Sequence, residues 1–494
     1  MQNLNHSRPI DVHVWSEHTE LDALVDELWL RYFQIDTQQT VKRGPKSKAS
    51  KKSHLKTLLL DLYVCWLNDP QMYLAVHMSK SGWKANSRYN ALHLSSQMIV
   101  IIKRLVELDF LEFHTGYEGR LSRVRAHERL QILFKVITIP LTAVVFHHTQ
   151  EVLELRGDAD TGTSSAKPKL EYCDTEQIKK MRRVLEEYNA LLNRSHIDVC
   201  SLEEPYLDRV ITKGIRAGDT IRVHIDHRNT FVKRVFNNSS WELGGRFYGG
   251  WWQQIDKDLR TDIMINDTPT LEIDYKSMHV TLLMAAIGQK SNFDPYTLSK
   301  TVFPKRNDFD QRSAVKQLVL MAINANDRKT AFAAFRNDQS AGHSFKSLTN
   351  LELAQLLEAF IKQYPRLEMF LCSGKGLELM YIDSCIAENV IEHFTELKVP
   401  ILCMHDSFIV PYDYGMELRA IMVKAGAKQT RRYMFTEKDG VGRDEWFSEY
   451  ENTGNQPKWE PKDVVRCEGY LKRTNEKLSE CIFSADQSNY PLFP

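Results

Sequence analysis

Leu271-Glu272-Ile273-Asp274-Tyr275-Lys276-Ser277-Met278-His279 runs an apolar strand into one aspartate, then passes into a helix-like stretch with Val280, Leu282, Leu283 and Ala286. A strand built this way delivers its last carboxylate to the edge of a sheet. Further on, Val399-Pro400-Ile401-Leu402-Cys403-Met404-His405-Asp406-Ser407-Phe408-Ile409-Val410 predicts a β-hairpin, apolar on both arms, with His405-Asp406-Ser407 at its tip. Between the two lies a helical stretch in which Arg312, Lys316, Leu320 and Asn324 recur every four residues and so share one face.

These three segments suit phosphoryl transfer to a hydroxyl. That reaction uses two divalent cations roughly 3.5–4 Å apart, one on the attacking and one on the leaving oxygen. Two carboxylates on adjacent strands, Asp274 and Asp406, are the candidate ligands. Mg²⁺ suits them, with Mn²⁺ as a substitute, because it accepts one or two carboxylates plus substrate phosphates. Arg312 and Lys316, one turn apart, would clamp the phosphates of a nucleoside triphosphate, with Leu320 and Asn324 beside base and sugar. Each motif has a commonplace reading by itself: a strand-end cap, a solvated helix face, a turn. Their order and local structure together favour catalysis.

Upstream, Leu55–Leu67 and Ser95–Leu108 read as helices, followed by a strand at Phe110–Phe113, a Gly-containing turn and a basic strand at Leu121–Ala126. Helix, helix and hairpin is the layout of a winged helix-turn-helix, in which Lys103, Arg104, Arg120, Arg123 and Arg125 would meet DNA phosphates. The same shape also serves protein–protein contacts. Residues 19–36 predict another helix, Val41–Lys52 a basic linker, residues 156–172 a second linker, Asp174–Leu192 an exposed charged helix, and the polar stretch from about 450 an irregular extension. The run Phe247-Tyr248-Gly249-Gly250-Trp251-Trp252, beside Lys257 and Arg260, would either stack single-stranded bases or form core. His224 and Asp226 would share a strand face, but a metal site there lacks a third partner.

The length of 494 residues predicts two or three domains. Lys+Arg number 65 against Asp+Glu 64, so nucleic-acid contact must come from local patches rather than overall charge. Eight scattered cysteines without a CxxC pair argue against a zinc ribbon and a disulfide framework, and for thiols in a reducing cytosol. No leader-like start and no membrane-length apolar run is apparent, so a cytoplasmic, membrane-free protein is expected.

The three central segments resemble the palm and fingers motifs of family A DNA polymerases and the related bacteriophage single-subunit RNA polymerases. Asp274-Tyr275 is similar to the first palm motif, Arg312-x3-Lys316-x3-Leu320-x3-Asn324 to the fingers helix, and His405-Asp406-Ser407 to the second palm motif. Gly244-Gly245-Arg246 stands where that superfamily carries a Thr-Gly-Arg segment, and Met380–Phe394 resembles the helix before the second palm motif. The resemblance, over roughly residues 240–415, implies metal binding by Asp274 and Asp406 and triphosphate binding by Arg312 and Lys316. It implies nucleotide contacts from Leu320, Asn324, Tyr275 and His279, and primer or template contacts from Arg246 and His405. Asn324 replaces the family's fingers tyrosine, and His279 replaces the glutamate that often blocks a ribose 2′-hydroxyl.

The expected fold is α+β: a mostly helical winged-helix domain followed by a compact right-hand palm/fingers domain. The expected divisions are 1–54, an N-terminal helix and basic linker; 55–150, winged-helix-like; 151–172, linker; 173–450, polymerase-like; and 451–494, irregular. The expected activity is a template-directed nucleotidyltransferase, a small DNA polymerase acting on primer–template DNA and nucleoside triphosphates in replication or repair. The alternatives are a non-enzymatic winged-helix initiator or transcription factor with a degenerate polymerase-like domain, and an RNA polymerase or primase.

Overall fold

The computed structural model describes residues 4–34, 49–117, 119–139, 143–147, 150–158, 167–211, 218–226, 229–290, 294–306, 309–340, 342–438, 443 and 464–485. It divides into two compact units of mixed helix and sheet. One comprises Met1–Glu151 with Asp208–Ile211 and Gly218–Arg222; the other comprises Val152–Leu207, Thr212–Ala217 and Val223–Pro494.

In the first unit, helices Thr19–Tyr32, Lys51–Asn68, Gln97–Glu107 and Glu128–Val136 pack around a four-stranded sheet. Its strand order is Ser7–Pro9, Tyr73–Val76, Ser122–Ala126, Leu111–His114. Ser50 opens the second helix by accepting the Ser53 amide, an N-cap bond. In Ser122-Arg123-Val124-Arg125-Ala126 the small and apolar residues turn inward and the arginines outward, the period-2 pattern of a half-buried strand. Two expected boundaries are corrected here. Residues 1–54 are not a separate segment, because Leu21, Leu24, Val25 and Leu28 bury into the same core as Leu58, Leu62 and Ile102. The basic run ends as helix: Lys51 and Lys52 start the second helix, while residues 41–48 lie outside the described residues. A hairpin from strands Tyr206–Val210 and Thr220–His224 mostly joins this unit, with Arg222 paired to Asp69 and Asp208 at 2.8 Å each.

The second unit centres on the strand Thr268–Tyr275. Its sheet runs Leu402–Met404, Ser407–Pro411, Thr268–Tyr275, Ile263–Ile265, Ile197–Val199, and Thr436–Lys438 also pairs with the central strand. A three-stranded sheet orders Gly244–Gly249, Val232–Phe236 and Leu153–Leu155. The last of these strands lies in the stretch expected as linker, of which residues 159–166 are outside the described residues. Helices Met278–Ala286, Gln311–Asn324 and Gly376–Glu396 share one hydrophobic core with both sheets.

Helix Glu176–Arg194 is not the free-standing charged rod that its composition suggests. Ile178, Met181, Leu185, Tyr188 and Leu192, spaced three or four apart, form a buried stripe among the lysines and glutamates. The stretch from 451 is not irregular throughout either: Glu468–Ala485 is helical. Tyr470 of that helix is buried against Cys200 and Met264, Arg473 pairs with Asp198 at 2.7 Å, and Arg466 pairs with Asp267 at 2.8 Å. One buried tyrosine and two ion pairs to distant residues hold a segment whose own composition is polar.

Candidate active site

Asp274 and Asp406 meet across neighbouring strands. Asp274 is the cross-strand partner of Ser407, and the Tyr275 amide donates to the Asp406 carbonyl at 3.1 Å. Asp406 sits in the tight turn joining Leu402–Met404 to Ser407–Pro411, where His405 takes a left-handed φ of 68°. Apart from Asp406's own amide, neither carboxylate has a hydrogen-bond or ion-pair partner among the described residues. Desolvation, then the Asp406 and Glu272 charges, push the Asp274 carboxyl up to about 7. Burial also raises Asp406, with Asp383 adding to the rise and Arg246 opposing it. Asp274 is nonetheless exposed.

From the helix Gln311–Asn324, Lys316 acts electrostatically on Asp274. Val315, Leu318, Val319 and Ala322 bury the inner face of the helix, leaving Arg312, Lys316 and Asn324 exposed and Leu320 half-buried. Lys316 forms no ion pair or hydrogen bond with the described residues, and its charge favours ionised Asp274. Arg312 is tied to Asp294 at 2.6 Å. Asn324 donates back to the Leu320 carbonyl at 2.7 Å, and a side chain at Gly376 would collide with its amide oxygen. Tyr275 is buried, with its hydroxyl on the Met422 carbonyl at 2.5 Å. Of the four residues on this helix face, Lys316 bears on the charge of Asp274, while Arg312 and Asn324 make other contacts.

Arg246 reaches the site through a partner that sequence reading missed. Its Nε lies 3.0 Å from Asp383, a residue only 1% exposed on the helix Gly376–Glu396. His279 joins them, its Nε2 3.0 Å from Arg246 and 3.2 Å from Asp383. At 7% exposure, with Nδ1 lacking a partner among the described residues, His279 sits beneath the arginine rather than on an open surface. Burial works against the Arg246 charge, but the Asp383 carboxylate outweighs it and raises its pKa. Asp383 falls on the apolar face of its helix with Leu379, Ile386 and Val390. A charge on a core-facing stripe was the available signal. His405 is held neutral, pushed down to about 4 by burial and then by Arg246. Its ring meets Tyr248 edge-on at 5.2 Å.

Within the Phe247–Trp252 run, Phe247, Trp251 and Trp252 are core and Tyr248 is 37% exposed. Trp252 and Gln253 both donate to the Cys403 carbonyl, at 3.1 and 2.9 Å.

In the first unit, the arginines expected to meet DNA are already engaged. Arg125 pairs with Glu112 and lies over the Tyr73 ring at 4.5 Å. Arg123 donates to the Leu4 carbonyl, Arg120 binds Asn5, and Arg104 pairs with Glu107 at 3.2 Å. Lys103 is exposed and has no side-chain partner among the described residues.

No group of three potential metal-ligating side chains occurs among the described residues. Asp274 and Asp406 still fit Mg²⁺, because two unpartnered carboxylates that resist ionising together are relieved by a cation. No helix is long and apolar enough to cross a membrane among the described residues.

No protein-family model matches the chain, and no curated protein matches it. Among solved structures, it aligns with the POL domain of Pol1 from M. smegmatis in complex with DNA primer-template and dNTP. The alignment has 10% identity and a TM-score of 0.29, over 43% of this chain and 48% of that one. This chain therefore spans about half of that domain's length, and a likeness this weak assigns neither a fold nor a residue.

Proposed function

We propose that the second unit is a template-directed nucleotidyltransferase, a small DNA polymerase of two-metal type serving replication or repair, and that the first unit is a winged-helix module that recruits DNA. The observation that carries this reading is the meeting of two unpartnered carboxylates, Asp274 and Asp406, across neighbouring strands, with the unpaired Lys316 acting on the charge of Asp274. Unsatisfied ionisable groups gathered in one place are costly, so they mark function more often than stability.

Asp274 and Asp406 would hold Mg²⁺, which lowers the pKa of the attacking hydroxyl and neutralises developing phosphate charge. Lys316 binds the triphosphate. Arg312 joins it by exchanging Asp294 for phosphate, a change available to an exposed pair. Arg246, fixed by Asp383, orients the other strand, and Lys103 meets DNA phosphate. The direct test is incorporation of labelled deoxynucleotides on a primed template with Mg²⁺. Incorporation by the wild type that vanishes in both Asp274→Ala and Asp406→Ala supports the reading; its absence on every template defeats it. Ribonucleotides supplied without a primer separate the primase or RNA polymerase alternative.

A second reading, a DNA-binding protein with an inert polymerase-like unit, draws on His279 and Asn324, whose side chains make structural contacts. DNA binding that Lys103→Gln weakens, without incorporation, would favour it.

A further inference from the structure

The segment from Gly244 to Arg260 is clamped onto the strands that carry the two aspartates. Trp252 and Gln253 seize the Cys403 carbonyl, two residues before His405. Arg260 pairs with Glu272 at 3.0 Å, and Glu272 accepts the Ser407 hydroxyl at 2.6 Å. Gly250, at a φ of 72° and pressed on the Trp252 ring, makes the sharp exit that this docking needs.

Tyr248 and Lys257, the latter between the exposed Asp256 and Asp258, are among the groups that this segment leaves open to solvent. Tyr248 alone of its aromatic run is open to solvent, with its ring against His405. Lys257 is exposed, and its side chain has no ion pair or hydrogen bond with the described residues. It lies one helical turn from Arg260, whose partner Glu272 stands two residues before Asp274 on the same strand. The site therefore has two unpaired lysines at hand among the described residues, one on the helix Gln311–Asn324 and one on the clamped segment. One phosphate-bearing reactant needs one such lysine. A second, on a separate element and accompanied by an open aromatic ring, fits a second reactant that carries both a phosphodiester and a base.

We infer that Tyr248 and Lys257 are positioning residues for the nucleic-acid strand whose terminal hydroxyl attacks: the end base lies on the Tyr248 ring and its phosphodiester meets the Lys257 ammonium. This rests on the nucleotidyltransferase reading above. It adds a division of labour, with the triphosphate on the Lys316 side and the strand end on the Tyr248 side.

The test uses the full chain with a fluorescein-labelled DNA oligonucleotide, read by anisotropy without nucleotide or metal, alongside steady-state incorporation. Tyr248→Ala should weaken oligonucleotide binding roughly ten-fold, the loss of about one stacked base, while Tyr248→Phe keeps it. Lys257→Gln should lower the salt dependence of binding by about 0.7 in log–log slope, one phosphate contact. In turnover, both Tyr248→Ala and Lys257→Gln should raise KM for the strand and leave KM for the nucleotide unchanged; Lys316→Gln should do the reverse. Both side chains are exposed, so these variants should fold, with unchanged thermal melts as the check. Unchanged strand affinity and strand KM in Tyr248→Ala and Lys257→Gln, with incorporation intact, overturns the inference and spares the enzymatic reading. Strand binding lost in these variants of a protein that never incorporates nucleotide keeps the inference as a binding site and ends the enzymatic reading.

Discussion

Glu154 and Asp274 are both carboxylates on sheet strands of the same unit, and the fold treats them in opposite ways. Glu154 is surrounded by Arg156, Lys169 and Lys233 at 2.6, 3.1 and 2.7 Å. Burial resists its ionisation, but the lysine and arginine contacts outweigh that and pull it down to about 2. Asp274 also pays for desolvation, has two further carboxylates nearby and no bonded cation, and rises to about 7. A charge that helps hold a fold is compensated by the fold itself. One left uncompensated is costly to the fold, and a bound cation would relieve it. This contrast separates the structural acids of the molecule from the candidate catalytic ones more sharply than their sequence context does.

The comparison is most exposed to failure in activity. Asp274→Asn or Asp406→Asn should cut nucleotide incorporation at least about a thousand-fold, or about 4 kcal/mol in the barrier. Glu154→Gln should leave incorporation within about two-fold and cost roughly 1–3 kcal/mol of stability in a denaturant titration. If the two substitutions exchange these effects, the distinction collapses.

A finer test is the pH dependence of stability. The Glu154 carboxyl is lowered on folding, so its contribution is complete above pH 4.5 and is lost as pH falls toward 2. The Asp274 carboxyl is raised, so the folded state holds its proton more tightly than the unfolded chain does. Stability is lost as pH rises from about 3.8 through about 7, and the deficit is complete above 7. Thermal melts of Asp274→Asn should therefore exceed wild type at pH 8 and match it at pH 4. Millimolar Mg²⁺ at pH 8 should raise the melting temperature of the wild type but not of the Asp274→Asn, Asp406→Asn double variant. Equal responses in both would remove the metal proposal.

The smallest effect concerns the first unit. Lys103→Gln should lower the salt slope of DNA binding by about 0.9, one phosphate contact on duplex. Arg125→Gln should act mainly on stability, since Glu112 already occupies that guanidinium. DNA-binding titrations across salt concentrations distinguish the two.

What could be read in advance follows from range. Asp274, Lys316 and Asp406 stand in local patterns, a strand ending, a four-residue repeat and a hairpin tip, and such periods survive in the bare sequence. Asp383 showed only as a charge on an apolar helix stripe, because its role depends on Arg246, 137 residues away. The arginines of the basic strand looked available because the residues that occupy them, Leu4, Asn5 and Glu112, carry no mark of that role in the sequence. The helix Glu176–Arg194 looked exposed because abundant charge masked a narrow apolar stripe. Local periodicity proposed the chemistry; long-range pairing decided which charges remained free for it.

The late helix Glu468–Ala485 has a further consequence. It braces Ile197–Val199 and Ile263–Ile265, strands made far earlier in translation, by covering Cys200 and Met264 and pairing with Asp198 and Asp267. Until that helix emerges from the ribosome, this flank of the sheet has apolar surface and acidic side chains without their cover. A nascent chain is thus vulnerable to misassociation at the flank until that helix is made, and products shortened before residue 464 should depend on chaperones even with every site residue in place.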